Sequence, residues 1–74
     1  MDIKEFRKAL GNKIREYRKA ENLSQAKLAE MLGGNSDGSY ISRLELGKLS
    51  CSTDQLYRIS RALDVSLKDL VDFE

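Results

Sequence analysis

Two neighbouring segments of this 74-residue chain each carry the pattern of a short amphipathic helix. The first follows Ser24, a residue type that caps helix N-termini, and its apolar residues recur at helical spacing up to Gly33. The second contains the apolar pair Ile41 and Leu44 and stops at Gly47. The pattern therefore predicts two helices, at about 25–32 and 38–46, joined by a turn of small residues. This arrangement is a helix-turn-helix.

The remainder of the chain has the same helical periodicity, and no alternation typical of a β-strand persists for more than a few residues. A first helix is expected to begin at Asp2, which with Glu5 forms a capping box, and to fade near residues 21–22. Its predicted core stripe comprises Ile3, Phe6, Leu10, Ile14 and Tyr17. Gly11 within this helix costs about 1 kcal/mol relative to alanine, which suggests that a neighbouring element packs closely there.

Two further capping boxes predict helices in the C-terminal third of the chain. Ser52 with Gln55 opens a fourth helix, and Ser66 with Asp69 opens a fifth. The side chains expected to face inward are Leu56, Ile59, Ala62 and Leu63, followed by Leu67, Leu70 and Val71. The predicted fold is thus all-α, with five short helices in a single domain spanning residues 1–74.

Composition argues against several classes of function. The chain has no histidine and one cysteine, so we expect neither a metal site nor a nucleophile–base pair, and predict no enzyme activity and no cofactor. A lone Cys51 cannot form an intramolecular disulfide, which favours a reducing cytoplasm. We interpret it as a small buried thiol, with a redox role as the alternative. No apolar run of about 20 residues and no signal-peptide core are present.

The charges are distributed unevenly. Residues 1–50 contain ten Lys and Arg against seven Asp and Glu, a net charge of +3, whereas residues 51–74 contain three against five, a net charge of −2. The mildly basic part therefore holds the two-helix motif, which gives weak support for a nucleic-acid partner.

A helical wheel divides the third helix into two faces. The predicted inner face comprises Ile41, Leu44 and Glu45. The predicted outer face comprises Ser39, Arg43 and Leu46, with Tyr40 and Ser42 on its flanks. Hydroxyl groups and an arginine can hydrogen-bond base edges and phosphates, so the outer face is a candidate DNA-reading surface. A merely solvated helix face is the alternative.

Glu45 lies on the apolar side of that helix. A buried carboxylate needs a cationic partner, because an unpaired buried charge is costly. Arg18 flanks the core stripe of the first helix and is the predicted partner.

The chain resembles the Cro/lambda-repressor-type helix-turn-helix family, also called the xenobiotic-response-element family, in three motifs: Leu10-x-x-x-Ile14-Arg15-x-x-Arg18, Leu23-Ser24-Gln25-x-x-Leu28-Ala29 and Ile41-Ser42-Arg43-Leu44-Glu45-x-Gly47. The segment from Leu56 to Leu70 is similar to the last two helices of that family, so the resemblance covers about residues 7–71. It implies a five-helix bundle that binds a specific double-stranded DNA operator, usually as a homodimer, and controls transcription. The Arg18–Glu45 pair is also a familiar element of the family.

The resemblance also implies a role for individual residues. By position, Gln25 and Lys48 would contact phosphates, Ser39 and Arg43 would face bases, and Tyr40 and Ser42 would contact either. The turn from Gly34 to Gly38 is one or two residues longer than the family's usual turn. Asp37 falls at the usual capping position of the third helix, while Gly38 replaces a frequent base-reading side chain and offers only backbone. The extra length can bring Asn35 or Ser36 toward the groove.

These features predict a small stand-alone repressor or restriction–modification controller that binds an inverted repeat as a dimer. The candidate dimer contacts are the apolar residues outside the predicted inner faces, which are Leu49, Tyr57 and Phe73. The alternative is a protein-interaction module, such as an antitoxin or anti-repressor with the same fold.

Overall fold

The computed structural model describes residues 1–73, and this part of the chain contains five α-helices and no strand. The helices are α1 (Ile3–Ala20), α2 (Gln25–Leu32), α3 (Gly38–Glu45), α4 (Thr53–Ala62) and α5 (Leu67–Leu70). The predicted all-α architecture is confirmed. The bounds of α2 are as predicted, and α3 ends one residue earlier than expected.

Each helix begins after a residue whose side chain accepts a hydrogen bond from the backbone N–H three positions later. These N-cap residues are Asp2, Ser24, Asp37, Ser52 and Ser66, with donor–acceptor distances of 2.8–3.0 Å. Each such cap is worth about 1 kcal/mol, because it satisfies a donor that the helix itself leaves free. Local chemistry therefore fixes where all five helices start.

The capping boxes formed by Asp2 and by Ser66 are complete, but the box predicted at Ser52 is only half formed. The backbone N–H of Gln55 donates to Ser52 Oγ at 3.0 Å. The side-chain Nε2 of Gln55 instead donates to Ser36 Oγ at 3.5 Å. The other half of the box, in which the Gln55 side-chain oxygen would accept the Ser52 backbone N–H, is not formed, and the side chain contacts the turn before α3.

The buried apolar side chains of residues 1–73 form a single cluster to which every helix contributes. Its members are Ile14, Leu28, Ala29, Ile41, Leu44, Ile59, Leu63 and Leu70. Burial of a large aliphatic side chain contributes about 1.5–3 kcal/mol, so this cluster supplies the main driving force for folding. Every buried side-chain nitrogen and oxygen in the described residues also has a hydrogen-bond partner.

Two glycines allow the C-terminal end of α3 to approach α1. A Cβ at Gly11 would lie 2.5 Å from the carbonyl oxygen of Leu44, which confirms the close packing expected there. Gly47 adopts a φ of +75°, and a Cβ there would lie 2.9 Å from Lys8 Cα. Side chains at either position would force the two helices apart.

Three residues predicted to face inward are exposed. Ile3 lies in the first turn of α1 and exposes 66% of its surface, while Leu67 and Val71 expose 37% and 41%. At the C-terminus, Leu67 is the first residue of the four-residue α5 and Val71 is its C-cap, so both lie at the ends of the helix. The side chain of α5 that enters the core is Leu70, which is fully buried.

Two of the predicted dimer contacts are not free outer residues. Leu49 is half-buried and packs against the core. The ring of Phe73 meets that of Phe6 edge-on, with the ring centroids 5.5 Å apart. Only Tyr57 of the predicted trio is strongly exposed, at 55%. The exposed large apolar side chains of α4 and α5 are Tyr57, Leu67 and, at the C-cap of α5, Val71. The exposed Met1 lines the same cleft as Val71.

Cys51 lies half-buried in the connection between α3 and α4 and packs against the core. Burial raises the pKa of its thiol. A raised pKa leaves less of the reactive thiolate, which supports the interpretation of Cys51 as a packing residue.

No helix within residues 1–73 is both long enough and apolar enough to cross a membrane. The same residues contain no cluster of three or more side chains suited to holding a metal ion.

Candidate nucleic-acid interface

The third helix has the two faces that its sequence predicts. Ile41 is fully buried, and Leu44 and Glu45 expose only 3% and 4% of their surfaces. On the opposite side, Ser39, Arg43 and Leu46 are all exposed. The inner face packs against α2 and α1, so the polar outer face is presented to solvent by a helix that is anchored on its other side.

A buried ion pair holds this helix in place. Arg18 Nε lies 2.6 Å from Glu45 Oε2, and Arg18 Nη2 donates to Glu45 Oε1 at 3.0 Å. The remaining nitrogen, Nη1, donates to the Leu23 carbonyl oxygen at 2.8 Å. The predicted pair is therefore present, with the parallel two-bond geometry that strengthens arginine–carboxylate contacts. It joins the end of α1, the following loop and α3.

The surroundings of Arg18 favour its charged form. The hydrogen bond to Glu45 raises the pKa of Arg18, while burial opposes that shift to a lesser extent. The Arg18 guanidinium therefore stays protonated beside the Glu45 carboxylate.

Gln25, predicted to contact a phosphate, is also connected to this pair. Its side-chain Nε2 donates to Glu45 Oε1 at 3.1 Å. An amide nitrogen carries two hydrogens, so one N–H of the half-buried Gln25 remains for another acceptor. The bond fixes the amide at the first residue of α2, a role that the sequence pattern did not reveal.

The two candidate contact residues in the turn before α3 differ in their exposure. Asn35 is exposed, whereas Ser36 is half-buried and accepts the bond from Gln55 of α4. Asp37 caps α3 by accepting the N–H of Tyr40 at 2.8 Å, as its position predicted. A Cβ at Gly38 would lie 3.5 Å from the Ala26 nitrogen, which is ordinary contact distance.

The other predicted contact residues lie around α3. Lys48 is exposed just beyond the helix end, where its backbone N–H donates to the Arg43 carbonyl oxygen at 2.9 Å. Tyr40 and Ser42 are half-buried on the flanks, and Tyr40 packs partly against the core. The exposed polar members of the predicted set are therefore Asn35, Ser39, Arg43 and Lys48.

Two residues of α1, Asn12 and Arg15, were not among the predicted site residues. In the structure they line a cleft of about 250 Å³ together with Gln25, Ser42, Glu45 and Leu46. Arg15 appears in the first motif, but a helical wheel of α1 alone cannot show that it lies beside α3. The exposed Leu46 adds an apolar side chain to an otherwise polar surface.

These features define a helix-turn-helix domain, and comparison with known proteins agrees. Residues 14–70 match the model of the helix-turn-helix family, and the chain belongs to that family. It is 41% identical over 69 residues to the control protein C.BamHI of Bacillus amyloliquefaciens, an alignment that covers 92% of this chain and 83% of that protein. The resemblance to the Cro/lambda-repressor-type family is confirmed.

Solved structures show the same fold. The restriction-modification controller protein C.AhdI from Aeromonas hydrophila is similar with a TM-score of 0.85 and 31% identity, covering 95% of this chain and 99% of that one. The clp gene regulator ClgR from Corynebacterium glutamicum is similar with a TM-score of 0.83 and 30% identity, covering 89% of this chain and 82% of that one.

Proposed function

We propose that this chain is a sequence-specific DNA-binding regulator of transcription that controls a restriction–modification system. The observation that carries the proposal is the exposed face of α3, where Ser39 and Arg43 project from a helix fixed by the buried Arg18–Glu45 pair. The similarity of the chain to two control proteins, C.BamHI and C.AhdI, over most of their lengths supports a role in controlling a restriction–modification system.

In this proposal α3 lies in the major groove of the operator. An α-helix is about 10–12 Å across and the groove is about 12 Å wide. Arg43 forms a two-bond contact with guanine O6 and N7, the commonest specific arginine–base contact. Ser39 contacts a neighbouring base, and Leu46 packs against a thymine methyl or a sugar.

The surrounding residues hold the domain to the DNA backbone. Lys48 and the free N–H of Gln25 contact phosphates, while Tyr40 and Ser42 contact the edges of the groove. Asn35 extends from the turn toward the backbone. Contacts of this kind set the register of α3 on the duplex without reading sequence.

We further propose that the protein binds an inverted repeat as a homodimer through Tyr57, Leu67 and Val71. These side chains of α4, α5 and the C-cap of α5 are exposed, and a two-fold axis beside the two helices would bury each copy's set against its counterpart. The half-sites would then lie about 34 Å apart, one turn of the DNA helix. Such a regulator acts in the cytoplasm and catalyses no reaction.

The proposal is tested by selecting bound fragments from a random genomic pool with the purified protein and titrating the enriched sequence in gel shifts. We expect a recurring inverted repeat, bound with an affinity that falls steeply as salt rises because phosphate contacts release counterions. Absence of any enriched sequence, together with no retention of DNA at low salt, would overturn the proposal and favour an interaction module that binds protein.

A further inference from the structure

An apolar cleft opens between the first half of α1 and the connection that joins α3 to α4. It has a volume of about 300 Å³. Its apolar lining includes Ile3, Phe6, Leu10, Leu44, Leu49 and Leu56. We propose that this cleft binds a small molecule with an apolar body and one carboxylate, and that Arg7 pairs with the carboxylate. The proposal gives the domain a ligand site separate from the exposed face of α3.

The apolar cleft is continuous with the core. Ile14 and Leu44 line it and expose only 0% and 3% of their surfaces. Leu10, Leu49 and Leu56 also line it, and these three side chains are half-buried against the core cluster. An apolar group placed in the cleft would therefore extend the core and remove apolar surface from solvent, which is favourable.

The charge of the cleft favours an anion. Among residues 1–73, the charged residue that lines it is Arg7, and no Asp or Glu does so. Arg7 is half-buried and belongs to neither of the two ion pairs found in this part of the chain. A guanidinium suits a carboxylate because its planar N–H groups can donate in parallel to both oxygens. Ser50 and Thr53 add hydroxyl groups to the lining. Charge complementarity thus places a carboxylate beside Arg7 on an otherwise apolar ligand.

The size of the cleft favours a small molecule over a protein partner. Ligand pockets have volumes of about 300–1,000 Å³, and a cavity of about 150 Å³ can hold a benzene ring. A cleft of about 300 Å³ therefore accepts one ring or a short chain together with a carboxylate. A stable protein interface involves about 20–30 residues on each side, whereas twelve residues line this cleft.

The test is an NMR titration of the isotope-labelled intact protein with phenylpropionate and with phenylpropanol. The two probes share a ring and a chain, but only phenylpropionate is charged near neutral pH. The variants Arg7→Gln and Arg58→Gln are titrated in the same way. Both substitutions remove one positive charge, but Arg58 lies exposed on α4 and does not line the cleft. No DNA is present, so the result is independent of the proposed function.

We expect phenylpropionate to shift the signals of the cleft residues saturably, with a dissociation constant in the low millimolar range that suits so small a ligand. Loss of the ion pair should weaken binding about three- to tenfold, both for phenylpropanol with the intact protein and for phenylpropionate with Arg7→Gln. Arg58→Gln should leave the affinity unchanged.

Three results would overturn the proposal. These are the absence of saturable shifts at the cleft, equal affinity of the intact protein for the two probes, and equal affinities of the two arginine variants for phenylpropionate. The spectrum of each variant without probe shows whether it folds. If Arg7→Gln does not fold, the comparison of the two probes on the intact protein decides the question alone.

Discussion

Two regions of this molecule, the surroundings of α3 and the α4–α5 region, are stabilised by different kinds of contact. Around α3, a buried ion pair and two glycine contacts fix the helix against α1, and a glutamine amide links it to the start of α2. At the α4–α5 end, a four-residue helix is anchored by Leu70, and its other apolar side chains remain exposed. The helix α3 is thus held by charged and backbone contacts in addition to apolar packing, whereas the α4–α5 region leaves apolar side chains exposed.

The largest expected effect of mutation is on the ion pair. Arg18→Met or Glu45→Leu leaves one buried charge unpaired, which costs about 3–5 kcal/mol of the free energy of unfolding. In a domain of typical marginal stability this is a large fraction of the total. The double variant should regain much of the loss in thermal or denaturant unfolding, and a strictly additive double variant would contradict the idea that the pair locks α3.

Gly11→Ala should lower the free energy of unfolding by about 1–3 kcal/mol, because the Cβ of the new alanine would overlap the backbone at the end of α3. The matched control is Gly38→Ala, where the added Cβ meets only ordinary contacts. That control should be neutral or stabilising, since alanine is a better helix former than glycine. Equal unfolding midpoints for the two variants would show that the α1–α3 contact is not tightly packed.

Arg43→Ala should leave the unfolding transition unchanged but remove about 1–3 kcal/mol of discrimination between the operator and an operator with the contacted base pair changed. The side chain is exposed, so its loss creates no cavity. Competition gel shifts with the two duplexes measure this difference. Undiminished preference for the operator would mean that Arg43 does not contact a base.

In the α4–α5 region, Tyr57→Asp combined with Val71→Asp should yield a folded monomer. Both residues are exposed, so the effect on the monomer's unfolding should be within about 0.5 kcal/mol, whereas charges facing one another across a two-fold axis would oppose association. Sedimentation measures the oligomeric state, and half-site binding should lose cooperativity. An intact protein that stays monomeric at high micromolar concentration and on operator DNA would contradict the proposed dimer contact.

Much of the α3 region was predictable because its determinants are local or come in pairs. The caps at Ser24 and Asp37 fixed the helix starts, and the wheel placed Glu45 on an apolar face where it required a cation. The bond from Gln25 to Glu45 and the closeness of Arg15 to α3 were not predictable in this way. Both depend on how two helices cross, and no spacing within either helix encodes that angle.

The C-terminal end was predicted less well, for a related reason. A helical wheel places residues on a face by their spacing, but it does not show how far neighbouring elements cover that face. Leu67 opens α5 and Val71 is its C-cap, and both lie outside the core although the pattern assigned them to it. Phe73 was assigned to the outside, yet it packs edge-on against Phe6, a contact between residues at opposite ends of the sequence.

The glycine that opens the recognition helix has an evolutionary consequence. Gly38 has no left-handed backbone requirement, and a side chain there would meet Ala26 only at ordinary distances. The backbone here therefore accepts a Cβ, so residues other than glycine can open α3 without moving α2. In the DNA complex proposed above, Gly38 opens the helix that lies in the groove, and a substitution there would change operator preference while the framework that holds the helix stays unaltered.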